Sequence, residues 1–281
     1  MTEFLLELYS EEIPPKLQIN ARTQLKQRLE TTLKDEGVHF KECFAYSSPT
    51  RLCLHIIGLP EKIKIKEKEI KGPKTGVSEN IIQGFIKSHN MSDKDLFKKE
   101  TEKGEFYFLK ISEKHILVEN LLIDIVPRTI SIISWKKSMK WSTNNLIWGR
   151  PLRSIFALFN GKKLPFKLQH LVSTDIIIVE QDLVSKSRKV KSFKEYSSFL
   201  KDNKIIFDQN ERQKIILKRF ISVSNSKNYK ERYNQYLLEE VVNIVENPNV
   251  LLVSFDKEYL KIPEEIIIST IEKHQKYFPL F

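Results

Sequence analysis

Five apolar side chains, Leu17, Ala21, Leu25, Leu29 and Leu33, recur at every fourth position between a proline pair and a glycine. That spacing draws one apolar stripe down a helix and does not suit a strand, whose side chains alternate. Pro14 and Pro15 fit a helix start, where a backbone N–H lacks a partner anyway, and Gly37 fits its end. Residues 4–9 read as a short buried strand before the helix. Residues 38–46 and 51–58 read as two strands after it, joined at Ser48-Pro49. In the second, Leu52, Leu54 and Ile56 alternate with Arg51, Cys53 and His55, the period of a half-buried strand. The opening thus predicts a β-α-β-β unit and an α+β fold, mixed β-sheets with packed helices.

A charged connection follows, in which Ile63 and Ile65 alternate with Lys64, Lys66 and Lys68, as in an edge strand guarded by lysines. Residues 79–89 predict a short helix, and Lys103-Gly104 a hairpin turn. Residues 118–135 read as helical, with Pro127 expected to interrupt them. Beyond residue 145 the pattern changes. Strand-like runs at 155–159, 164–168 and 175–179 surround the turn Asn160-Gly161. A helix at 193–200 and a short strand at 205–207 precede a helix opened by Asp208, with Glu211 three residues on as in a capping box. Ile216, Phe220 and Val223 are expected to face inward, and residues 224–228 to form a loop. The last stretch reads as an amphipathic run, a turn at Pro248, a strand at 250–253, and a helix with Pro263 at its first position. Glu264 and Glu265 then suit the start of that helix dipole, and Lys273 and His274 its end. The expected organisation is two α+β units, residues 1–145 and 146–281.

A chain of 281 residues with 41% apolar content buries a genuine core. Its 47 Lys and Arg against 36 Asp and Glu leave a net charge of +11, an excess that favours polyanionic partners through counterion release. Cys43 and Cys53 alone make no disulfide framework and read as small buried thiols in a reducing cytoplasm. The acidic start carries no signal-peptide pattern, and no apolar run approaches the roughly 20 residues a membrane span needs, so no membrane partner is expected.

The search for reactive groups excludes more than it finds. GPKTG (72–76) lacks the spacing of a phosphate loop. His39, His55, His89, His115, His170 and His274 are scattered without metal-ligand spacing, so neither a metal site nor any catalytic residue is assigned. Glu11 and Glu12 precede Ile13-Pro14 and are expected to favour the helix N-terminus. WKKSMKW (135–141) is more informative: Lys136, Lys137 and Lys140 suit phosphates, while Trp135 and Trp141 either stack on bases or pack in the core. Arg150 and Arg153 follow closely. Arg51 after Pro49, and Lys71 and Lys74 around Gly72-Pro73, sit in expected turns that a phosphate can approach.

Several phrases in a fixed order tie these pieces together: LLELYSEEIPPK (5–16), SPTRLCLHIIGLP (48–60), KGP (71–73), GFIKSHNMSDKDL (84–96), KGEFYF (103–108), KKSMKW (136–141), RPLRSIFALF (150–159), then EEVVNIVENP (239–248), SFDKEYL (254–260) and PEEIIISTIEKHQKYFP (263–279). In that order they resemble the β subunit of the bacterial two-subunit glycyl-tRNA synthetase, over nearly the whole chain. The family's Thr-x-Gly-His-Arg-Phe motif is replaced here by TDIIIVEQDL (174–183). The resemblance implies the amino-terminal portion of a β subunit, lacking the HD-like and anticodon-binding domains. It implies a part in glycine–tRNA ligase that binds tRNA(Gly) and the glycyl-tRNA synthetase α subunit in a heterotetramer. Adenylate chemistry then belongs to the α subunit, which uses ATP and Mg for the complex, and this chain binds no cofactor itself. The tRNA-binding candidates are Arg51, Lys71, Lys74, Lys136, Lys137, Lys140, Arg150 and Arg153. The alternatives are a stand-alone RNA-binding or assembly module, or a non-functional remnant.

Overall fold

The structure, a computed structural model, describes residues 2–65, 68–89, 91–111, 113–141, 145–181, 184–230 and 233–281. Its elements begin with β1 (Glu3–Ser10), α1 (Pro15–Asp35), β2 (Glu42–Ser48) and β3 (Arg51–Ile57). Next come β4 (Lys62–Ile65), β5 (Lys68–Lys74), α2 (Glu79–Ser88), β6 (Leu96–Thr101), β7 (Gly104–Ile111), β8 (Lys114–Leu117) and α3 (Val118–Ser131). The second half starts with β9 (Leu152–Phe159), β10 (Lys162–Lys163), β11 (Lys167–Leu168), β12 (Leu171–Val172), β13 (Ile176–Gln181) and β14 (Val184–Lys189). It finishes with α4 (Phe193–Asp202), α5 (Gln209–Ser226), α6 (Gln235–Val242) and α7 (Glu264–Thr270). The fold is α+β, with antiparallel sheets. It forms two compact units, Met1–Leu59 with Leu122–Phe281, and Pro60–Leu121. A boundary near 145 does not coincide with this division, because β9 is hydrogen-bonded along β1.

The first unit is organised by a five-stranded sheet in the order β10-β9-β1-β3-β2. β1 lies between β9 and β3 and is buried from Phe4 to Ser10. α1 buries Leu17, Ala21, Leu25, Leu29 and Leu33, the predicted stripe, and packs on β2 and β3. Its Arg22 donates to Ser47 Oγ of β2 at 2.6 Å. On the other face Leu5 and Cys53 meet Phe156, Ile177, Tyr196 and Leu200 in one apolar cluster. The sheet is therefore covered twice, and the alternation read in β3 does not mean exposure: Arg51, Cys53 and His55 are as buried as Leu52, Leu54 and Ile56. Period two marks two different environments, and here the second is α4 with its polar Tyr196 in place of water.

Cys43 and Cys53 are free buried thiols, and burial pushes Cys43 up to about 12. The turn Asn160-Gly161 forms as read, with both residues at positive φ (51° and 76°). Asp208 caps α5 by accepting from Asn210 N at 2.8 Å. Ile216 and Phe220 are buried while Val223 is half-buried.

Several local expectations are revised. Pro127 lies inside α3 rather than ending it. Burial of Leu122, Ile125, Val126 and Ile130 offsets the lost backbone bond. α5 runs on to Ser226, through the first part of the expected loop. Residues 205–207 and 250–253 are not strands, and the run at 164–168 keeps only β11. A strand requires a pairing partner that local pattern does not supply; Leu251 and Val253 instead stand 73% and 64% exposed. Pro263 is the cap of α7 and not its first residue. Near the end, Phe278 joins the cluster of Ile216, Leu238 and Val242, whereas Tyr277 is exposed. Residues 66–67 of the expected edge strand and 182–183 of the substituted motif lie outside the described residues.

His55 is buried against Phe193, ring on ring at 4.0 Å, with Nε2 3.0 Å from a Glu3 carboxylate oxygen. Burial lowers its proton affinity, and Glu3 only partly opposes this. The unfolded chain then takes up the proton first as pH falls below about 6.5. Stability held above that range is lost as pH drops toward the folded value, by at most about 1.4 kcal/mol per pH unit. His55→Gln is expected to flatten this part of the profile, read as denaturant midpoints between pH 7.5 and pH 5. An unchanged slope refutes the assignment.

Candidate nucleic-acid interface

In the first unit the chain leaving β1 folds into the wall of a cleft. Ser10 N donates to Thr50 O at 2.8 Å, Glu11 N to Pro151 O at 3.0 Å, and Ile13 N to Pro49 O at 2.6 Å. Two prolines thus accept bonds where they have no N–H of their own to give. Beneath, buried Gln18 donates to the carbonyls of Ile13 and Asn243 at 2.8 and 2.7 Å. The resulting cleft, about 590 Å³, is lined by Glu11, Glu12, Pro49, Thr50, Arg150 and Arg153 among others. Glu11 and Glu12 precede the Pro14 cap and lie outside the first helical turn, so they face the cleft instead of supporting the helix.

The two arginines of this wall differ. Arg153 forks onto Glu180, which also accepts from Tyr9 Oη at 3.1 Å. Burial raises the Tyr9 phenol above its usual range, with Arg51 pulling the other way. Arg150 is half-buried and donates to Gly149 O at 2.9 Å; among the described residues no carboxylate pairs with it. Arg150 is thereby the cleft's available cation, while Arg153 binds a phosphate only by sharing or leaving Glu180.

Lys136, Lys137 and Lys140 are exposed on the segment that follows α3. That segment is clasped to the strip carrying Arg150. Trp148 is fully buried and donates from Nε1 to Ser10 Oγ at 3.0 Å. Trp135 packs edge-on against it at 4.7 Å. The Trp135 ring also covers Gly149 so closely that a Cβ there would lie 2.5 Å from it. A backbone pair between Met139 and Trp148, at 2.8 and 3.3 Å, closes the clasp. Trp135 is therefore a packing residue, and the indole that organises the segment is Trp148, which the sequence reading did not single out. The signal available was the pair Trp148-Gly149, a large ring beside the one residue that lets a second ring approach. Trp141 is half-buried beside residues 142–144, which are not described.

The structure thus gathers Lys136, Lys137, Lys140, Arg150 and Arg153 on one clasped stretch of the first unit. Lys71 and Lys74 belong to the other unit, both exposed on β5. Arg51 is a correction. It is 1% exposed, 2.9 Å from Glu7 as an ion pair, and donates to Ile178 O at 2.6 Å. Its guanidinium also stacks on Tyr9 at 4.5 Å. No phosphate reaches it, because Arg51 opens a strand covered on both sides rather than sitting in a turn.

These features define a basic α+β protein whose surface cations are braced by aromatic side chains. Among the described residues no three His, Cys, Asp or Glu side chains group as metal ligands, and no helix is long and apolar enough to cross a membrane. Residues 4–281 match the family model described as glycyl-tRNA synthetase beta subunit, and the chain belongs to that family. It is 35% identical over 281 residues to the glycine–tRNA ligase beta subunit of Rickettsia canadensis, covering all of this chain and 42% of the relative. It is 35% identical over 283 residues to that of Clostridioides difficile, covering 98% of this chain and 41% of the relative. The Rickettsia typhi protein is 36% identical over 281 residues. The chain spans about two fifths of the length of these curated relatives.

Proposed function

We propose that this chain is the tRNA- and partner-binding portion of a glycine–tRNA ligase β subunit. In this reading it grips tRNA(Gly) and a catalytic α subunit within a cytoplasmic heterotetramer. The α subunit activates glycine with ATP and Mg, and this chain contributes position and charge. The observation that carries the reading is the family match from residue 4 to residue 281. The clasped segment supplies a physical means: five cations spaced over residues 136–153, held out by packed tryptophans, face solvent and the cleft.

Phosphate contact has a quantitative signature, because each neutralised phosphate releases condensed counterions. Filter binding of tRNA(Gly) at several salt concentrations is expected to give a linear fall of log K with log salt. Replacing Lys136, Lys137 and Lys140 together by glutamine is expected to flatten that slope by about 2 to 3. A slope unchanged in the folded triple variant removes the segment from the interface. Absence of tRNA binding by the chain at low salt removes the RNA reading altogether. Co-purification with the α subunit, followed by a glycylation assay of the mixture against α subunit alone, tests the partner reading.

A further inference from the structure

The three-stranded sheet of the second unit, β5-β7-β6, has two chemically distinct faces. In its register Leu109 pairs with Ile70 and Leu96. That row is apolar and Leu109 is fully buried, while further along the same face Tyr107 pairs with Lys98 and Glu105 with Glu100. α2 packs against β5, where the Phe85 ring fills the space that a Gly72 side chain would need. The opposite face is built by the alternate residues. Phe108 pairs with Lys71 and Phe97, and Phe106 pairs with Lys74 and Lys99. Glu69 opposite Lys110 completes the row.

This second face carries four lysines, all exposed, against one carboxylate, Glu69, which holds Lys99 in an ion pair at 2.5 Å. Between them lie three rings. Phe97 and Phe108 are 5.8 Å apart, and Lys71 Nζ rests 3.7 Å above the centre of Phe106. Phe108 is 8% exposed and forms the base, leaving Phe97 and Phe106 as the accessible rings. An acidic peptide has use for the lysines but not for the rings. A duplex likewise offers phosphates and keeps its bases stacked on one another. Unpaired nucleotides use both features, because every base presents a π-face and every linkage a charge.

We propose that this face is a stacking platform for an unpaired stretch of RNA, two or three nucleotides long. A base laid on Phe106 displaces the Lys71 ammonium, which moves to the adjoining phosphate with Lys74 at its side, while Lys99 reaches it only by sharing or leaving Glu69. The inference rests on the tRNA-binding reading and names the part of the RNA that this face takes.

The test uses the whole chain and three probes: a fluorescein-labelled single-stranded uridine octamer, a duplex of similar charge, and tRNA(Gly). Phe106→Leu keeps an apolar side chain and removes the ring; Lys71→Gln with Lys74→Gln removes charge. Circular dichroism checks that each variant is folded. Phe106→Leu is expected to weaken octamer binding at least about fivefold, and duplex binding less than twofold. The lysine pair is expected to weaken both. Octamer affinity unchanged by Phe106→Leu, or octamer and duplex weakened equally, overturns the platform. If wild-type chain binds tRNA but not the octamer, the platform falls while the tRNA reading stands. Failure to bind tRNA at all ends both.

Discussion

Arg51→Ala is expected to destabilise the first unit by about 3–5 kcal/mol, the cost of leaving a buried carboxylate without its cation. Glu7 and Arg51 are each 1% exposed, on neighbouring strands at the centre of the sheet. Glu7 also accepts from the fully buried Tyr196 Oη at 2.6 Å. That phenol is held well above its usual range, burial being the main cause. It therefore remains a neutral donor and does not neutralise the charge. Arg51 stays protonated although burial is the largest single influence and opposes this, because Glu7 and the neighbouring groups together outweigh it. The variant keeps the acid, loses the base and opens a cavity under Tyr9. Denaturation followed by the fluorescence of the three tryptophans reads the loss. Converting both partners, Glu7→Leu with Arg51→Met, is expected to recover part of it, since the pair repays little more than its own desolvation while Tyr196 Oη loses its acceptor. A loss below about 1 kcal/mol for Arg51→Ala shows that water reaches Glu7.

The second large effect is expected at Arg212, which joins four segments through backbone carbonyls. Its Nε donates to Val242 O at 2.8 Å, Nη1 to Ile206 O at 2.5 Å and Nη2 to Ser47 O at 2.7 Å. α5 is thereby tied to the end of α6, to the connection after α4, and to β2. Burial lowers the guanidinium to about 10, but it is charged at neutral pH. Arg212→Met fills similar space and orphans three acceptors, for a cost on the order of 3 kcal/mol or more. Arg212→Lys is expected to recover only part, because an ammonium does not reproduce the planar fork. Equal stability of the methionine and lysine variants, measured by denaturant midpoint, shows that packing rather than the bonds matters.

Both residues mark where sequence reading stops. The stripe of α1 was legible because helical period and core-facing side are the same information in a chain. So were the hairpin at Gly104 and the turn at Asn160-Gly161, each set by local backbone chemistry. Arg51 was misplaced because alternation in β3 reports that two faces differ, not that one is wet. Arg212 carried no local signal: its acceptors lie 6, 30 and 165 residues away along the chain. At the candidate interface the lysines of residues 136–140 were visible as composition. The clasp holding them was not, since it depends on Trp148 reaching back to Ser10. The strand expected at 250–253 failed for the converse reason, a suitable pattern with no strand beside it among the described residues.

The register of the central sheet has a consequence during synthesis. β1 holds residues 3–10, yet one of its two neighbours, β9, is not complete until Phe159. Roughly 150 residues separate the two edges of a single seam. At 5–20 residues per second, that flank of β1 waits about 8 to 30 seconds on the ribosome for its mate. The hairpin β2-β3 arrives well before, and residues 60–121 complete their own unit in the interval. A nascent chain halted between residues 60 and 150 is therefore expected to display an unzipped edge of β1.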